Sequence, residues 1–332
     1  MVIISTIFLP TAAFLLILMA LDSFALVRKS RLALCLASGL LSCVIAYVFS
    51  LAELLPDALF PLLEEILKSA FIIWMISKKR VVFLAEAMCY GGAAGAGFAL
   101  LENSLYAIYY PEMSFWSATI RGVGTALLHI GCTSVFASIF LVLLNRRAGT
   151  CGKNEAPALA RAYAAAIVLP LAIHHVYNMF LMPASVQMLV TVALFFVVFI
   201  AISAYNERRI YSWLDDSISY DIQLLSAIRE GRLADTPAGK YLTSVKSQFD
   251  PRVFFDVICF MQLYLELVVM GKSRMLLEQE GLAQPLSQEE TEKYNAMRTE
   301  LGAMRRNIGF MGEYVLRPIL RYAPEDMRFI RS

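Results

Sequence analysis

"LFPLLEEILKSAFIIWMI", residues 59–76, is apolar and long enough to cross a bilayer, yet it holds Glu64, Glu65 and Lys68 near its middle. An unpaired Glu or Lys at the centre of a membrane helix costs roughly 2.5–3.5 kcal/mol. With Glu102 added, the four charges would cost on the order of 10 kcal/mol if each faced lipid. Folding margins are about 5–15 kcal/mol, so these groups must meet one another, or water, inside a helix bundle. Lys68 follows Glu64 by four positions and Glu65 by three, within reach of both on a helix surface.

The rest of the chain supports a membrane bundle. Of 332 residues, 59% are hydrophobic and only 17% charged, against about half and about a quarter in soluble domains. A net charge of +2 is too small to suggest a nucleic-acid partner. The six cysteines (Cys35, Cys43, Cys89, Cys132, Cys151 and Cys259) include no CxxC pair, which argues against a disulfide framework or a cysteine-cluster zinc site.

Seven apolar segments precede residue 206, roughly at 3–26, 33–52, 59–77, 82–110, 116–144, 162–182 and 184–205. The first lacks a basic start and a clear cleavage site, so it is expected to stay as an anchor rather than act as a signal peptide. Positive charges fall in alternate connections: Arg28, Lys29 and Arg31; Lys78, Lys79 and Arg80; Arg146, Arg147 and Lys153; Arg208 and Arg209. The intervening connections hold Asp57, Glu112 or no charge. Cytoplasmic loops are the ones enriched in Lys and Arg. Seven spans are therefore expected in the cell membrane, with the N-terminus outside and the C-terminus in the cytoplasm.

Residues 206–332 differ, holding 18 of the 27 acidic and 17 of the 29 basic residues. They read as a helical cytoplasmic domain, with a capping box expected at Ser287–Glu290. The apolar run 252–270 is nearly long enough for an eighth span. Its Asp256, Gln262 and Glu266 share no helical face, so a core helix of that domain is the expectation.

All three histidines, His129, His174 and His175, fall inside expected spans. At about 1.5 Å of rise per residue, Glu64 and Glu65 lie roughly 8–9 Å below the outer surface, Glu102 and His174 about 12 Å, and His129 about 20 Å. Four helices thus bring ionisable groups to one layer in the outer half of the bilayer. The stretch "GGAAGAG", 91–97, places small residues at four-residue spacing and reads as close helix packing.

At these residues the sequence resembles the PrsW family of intramembrane proteases, related to the CAAX-protease and bacteriocin-processing superfamily. "EEILK", Glu64–Lys68, resembles that family's EExxK, and "FALLENSLY" matches FxxxExxxY with Phe98, Glu102 and Tyr106. His129 sits where the family has a histidine on the next span, and "HHVYN", 174–178, resembles its final histidine motif with Asn178. The resemblance implies an endopeptidase that cleaves membrane-anchored proteins. The family's best-known role is cutting an anti-sigma factor.

Amide hydrolysis needs an activated water, a stabilised oxyanion and a proton for the leaving amine. Glu64 or Glu65 is expected to activate the water with help from His129, while Lys68 keeps that carboxylate ionised. His174 and Asn178, one turn apart, are expected to bind the oxyanion, and Glu102 to share in proton transfer or bind a metal. His129, His174 and Glu102 would suffice as a catalytic zinc shell, but no HExxH motif occurs, so the expected cofactor is zinc or none. Tyr106 is expected as a supporting residue and Phe98 reads as support or packing; His175 reads as structural, Cys132 as a buried small apolar residue, and Glu86 and Arg121 as interfacial.

The expected protein is thus all-α: a membrane bundle of about seven helices over 1–205 and a cytoplasmic helical domain over 206–332 that binds a protein partner or regulator. Two rival readings stay open. Intramembrane Glu, His and Lys also build proton- or ion-coupled transporters, although no internal repeat of the spans is visible. A non-catalytic sensor or scaffold is the other.

Overall fold

The computed structural model describes residues 2–147, 155–320 and 322–330, so Cys151 and Lys153 lie outside the described residues. No strand occurs among them, and the chain forms two compact units, Met1–Glu207 and Arg208–Ser332.

Seven helices build the first unit: α1 (Val2–Ala20), α2 (Lys29–Leu51), α3 (Phe60–Ser77), α4 (Leu84–Tyr109), α5 (Phe115–Arg147), α6 (Glu155–Asn178) and the first part of α7 (Ala184–Arg229). They coincide with the seven apolar segments, within a few residues at most ends. The first runs shorter than expected, ending at Ala20 where the chain turns through Asp22.

Helix α4 is the axis of this unit, with 17 of its 26 residues buried. Its small residues permit that burial. A Cβ on Gly97 would stand 2.0 Å from the Leu36 carbonyl oxygen of α2, and one on Gly95 would stand 2.1 Å from the His129 carbonyl oxygen of α5. The glycines therefore let three backbones touch, and van der Waals contact of this kind is what holds helices together where lipid is as apolar as leucine. Glu86, read as interfacial from sequence, is instead 1% exposed, and its Oε2 accepts from the Val82 and Phe83 amides just before α4.

The second unit comprises the rest of α7 with α8 (Pro237–Val245), α9 (Pro251–Gln279), α10 (Gln288–Leu320) and α11 (Met327–Ile330). Polar side chains mark the helix starts. Thr236 accepts from the Gly239 amide and Asp250 from that of Arg252. The box at Ser287 is formed, with Glu290 N–H donating to Ser287 Oγ at 3.1 Å and Ser287 N–H to Glu290 Oε2 at 2.8 Å. Apolar residues of α9, among them Phe260, Met261 and Leu265, make the core with Leu301, Leu316 and Ile319 of α10. Within that core Lys272 is 0% exposed and bonds Asp221 Oδ2 at 2.6 Å and Ser217 Oγ at 2.7 Å, with Asp326 Oδ1 at 3.4 Å.

Six helices of the described residues are long and apolar enough to cross a membrane: α2, α4, α5, α6, α7 and α9. Helix α3 is apolar but carries the three charges of the opening stretch, and α1 contributes a shorter apolar helix, Thr6–Ala20. The chain is an all-α, multi-pass membrane protein. Helix α9 covers the 252–270 run and packs its buried face inside the second unit.

Candidate active site

Helix α3 turns Glu64 and Glu65 in different directions, because adjacent helical positions stand about 100° apart. Glu65 points inward and is 2% exposed. Its Oε1 accepts from Lys68 Nζ at 2.6 Å and from His174 Nδ1 at 2.8 Å. Glu64 points into a cavity of about 630 Å³ that Glu102, His129, His174, Arg121 and Asn178 also line.

Lys68, buried with Glu65, also reaches His129 Nδ1 at 2.8 Å on α5. An ammonium has donors only. His129 Nδ1 must therefore accept, and Nε2 carries the proton it donates to Glu102 Oε2 at 2.6 Å. Glu102 Oε1 in turn takes a hydrogen bond from Arg121 Nη2 at 3.3 Å. One polar chain results, from Arg121 through Glu102, His129, Lys68 and Glu65 to His174, drawn from α3, α4, α5 and α6. Every buried charge in it has an opposite partner, which is the condition for keeping ions in an apolar surrounding.

Apolar side chains frame this network. The Phe98 ring lies 4.8 Å from that of His129, with Lys68 Nζ 4.9 Å above it. The two histidine rings meet edge to face at 5.2 Å. Tyr106 lies under the Arg121 guanidinium at 3.4 Å and lines the cavity. His175 faces outward and exposed, and Cys132 directs its Sγ to the Pro170 carbonyl, so neither joins the site.

Arg121, read as interfacial from sequence, belongs to the site. A signal for it does exist in the sequence. Glu102 lies seven residues before the end of α4 and Arg121 six after the start of α5, so an antiparallel pair sets them at one level.

A model describing PrsW family intramembrane metalloproteases matches residues 14–203. The chain belongs to this family. The match covers more than half of the chain and contains α2 to α6 entire, so the protein is an intramembrane protease. No curated protein and no solved structure matches the chain.

Membership in a metalloprotease family implies a metal ion, and the PrsW residues present fit one. Glu64, His129 and His174 each offer a donor atom, all within 4.8 Å of one another. Glu64 Oε2 is buried with no hydrogen-bond partner among the described residues, and it faces His174 Nε2 at 3.6 Å. Two ligands of a tetrahedral zinc, each about 2.0–2.1 Å from the ion, stand a little over 3 Å apart. The charges agree as well. With Glu64 ionised, as binding an ion would make it, the three carboxylates outnumber Lys68 and Arg121 by one. The converging group differs in one member from the expected set of His129, His174 and Glu102: Glu64 supplies the carboxylate, while Glu102 is engaged with His129 and Arg121.

Proposed function

We propose that Glu64, His129 and His174 hold a zinc ion, and that this PrsW-family protein hydrolyses peptide bonds of membrane-anchored proteins at that site. The observation that carries the reading is the unpartnered Glu64 Oε2, set beside His174 Nε2 and His129 at the wall of a 630 Å³ cavity. A bound zinc supplies Lewis acidity, which polarises the scissile carbonyl and makes water nucleophilic near neutral pH.

The chain's own groups do the rest. Glu65 accepts the Nδ1 proton of His174 and so turns Nε2 toward Glu64. Lys68 holds the ring of His129 through Nδ1, so an ion would take Nε2 by displacing the proton that this nitrogen now gives to Glu102, the nearest base to receive it. Glu102, beside that nitrogen, takes the proton of the attacking water and delivers it to the departing amine as the carbon–nitrogen bond breaks. Asn178, on the cavity wall one turn after His174, donates its amide to the oxyanion.

The alternation of basic and non-basic loops supports an N-terminus outside the cell membrane and a site in the outer half of the bilayer. The second unit, Arg208–Ser332, is then cytoplasmic and available to a protein regulator. The substrate class includes membrane-anchored regulators of the anti-sigma kind.

The test is direct. The protein and its Glu64→Gln, His129→Ala and His174→Ala variants are purified in detergent, metal is measured by mass spectrometry, and a panel of single-span fusion proteins is offered for cutting. Near-stoichiometric zinc, lost together with cleavage in the variants, is expected. Full cleavage without metal in the presence of a chelator would refute the assignment.

A further inference from the structure

A second, smaller chamber shares Arg121, Tyr106 and Met113 with the main cavity and is lined also by Thr6, Asn103 and Gly122. It holds about 40 Å³. Asn103 is 3% exposed, and both Oδ1 and Nδ2 are buried without a hydrogen-bond partner among the described residues. Arg121 Nε is in the same condition. Leaving such groups unpaired costs about 1–3 kcal/mol each. A leucine would fill the Asn103 position without that cost, so the amide is there to meet something.

What fits is narrow. One water needs about 10–15 Å³ on this measure and two to four polar partners, so the chamber has room for about three waters. Asn103 offers a donor and an acceptor, and Arg121 adds a donor, which suits a molecule that both donates and accepts. Arg121 meanwhile reaches with Nη2 to Glu102.

We propose that this chamber is a water-holding site, and that it supplies the hydrolytic centre past Arg121. Hydrolysis consumes one water per bond, and a site enclosed by lipid and by an incoming peptide has little bulk water to draw on. The supply role rests on the hydrolytic reading of Glu64, His129 and His174 given above. The presence of the water does not.

The experiment uses the full chain in lipid nanodiscs. Radiolytic hydroxyl-radical footprinting is read at Ile7, which lines the chamber but not the main cavity, against Ile72, a core residue away from both. Cleavage kinetics are measured on the same samples. Ile7 should label faster than Ile72, and Asn103→Leu should slow that labelling and lower kcat roughly tenfold with KM unchanged, a loss of about 1.4 kcal/mol in barrier terms. Asn103→Ser, which keeps a polar group and room for a further water, should retain most of both. Equal labelling of Ile7 and Ile72 in the parent would overturn the water site, whether or not the leucine variant accumulates. Parent-like cleavage by Asn103→Leu would overturn the supply role. If Glu64→Gln also cut normally, the hydrolytic reading would fail, and Ile7 labelling would still decide the chamber.

Discussion

Lys68 donates a 2.8 Å hydrogen bond to His129 Nδ1 across 61 positions of the chain. That contact ties α3 to α5 and selects the tautomer of His129, while the same ammonium neutralises Glu65. Lys68→Met should therefore damage both fold and chemistry. Breaking a buried pair costs about 3–5 kcal/mol, and removing a group that orients a ligand costs about 10–100-fold in activity. Lys68→Arg should not rescue, because a planar guanidinium cannot occupy the same point between two acceptors. Thermal unfolding and cleavage measured together check this.

Neighbouring glutamates should behave differently. Glu65→Gln weakens the contacts to Lys68 and His174 and should cost stability as well as activity. Glu64→Gln changes the cavity wall at an oxygen that accepts no hydrogen bond and only faces His174 Nε2 at 3.6 Å. It should unfold within about 0.5 kcal/mol of the parent, yet lose bound metal and cleavage. Equal destabilisation by the two changes would contradict the division drawn between them.

Packing reaches the site through Gly95. A methyl group there meets the His129 carbonyl 2.1 Å away, backbone against backbone. Gly95→Ala should cost about 1–3 kcal/mol in overpacking and move His129 off its partners, so activity should fall further than stability alone explains. Gly302→Ala in α10, with nothing within 4 Å, is the control and should be neutral or stabilising by about 0.5–1 kcal/mol. Differential scanning and cleavage rates separate the two cases.

The second unit should respond to pH through Asp326. Burial raises its carboxyl to about 6, with Asp221 adding to the rise while Lys272 and the Tyr264 hydroxyl pull it down. A group raised in the folded state stabilises fully below the ordinary aspartate range, and that contribution fades as pH climbs through about 6. The unit should therefore be firmer near pH 5 than near pH 8, by on the order of 2 kcal/mol. Hydrogen exchange of α9 amides reads this, and Asp326→Asn should flatten the profile.

The sequence makes much of this legible, for physical reasons that also mark the limits. A charge in an apolar run has to be partnered, so Glu64, Glu65, Lys68 and Glu102 stand out from residue order alone. Rise per residue brings them into one broad layer with His129 and His174, His129 lying deepest. What depth does not supply is rotation about each helix axis. Glu64 and Glu65 therefore look interchangeable in sequence, although one faces the cavity and the other lies between Lys68 and His174. Arg121 escapes because an arginine near a helix end is ordinarily solvated. Lys272 escapes because its partners, Asp221 and Asp326, lie 51 and 54 positions away on other elements.

The contact between Glu65 and His174 spans 109 positions, and synthesis has to cross that distance in time. At about 5–20 residues per second, a ribosome takes roughly 5–20 s between the two. Through that interval the growing chain holds the acidic half of its centre and lacks the final histidine. On the proposed role of His174, a half-made protease is inert until its sixth helix is seated. A product cut short before residue 174 would leave Glu65 with Lys68 as its partner and without His174.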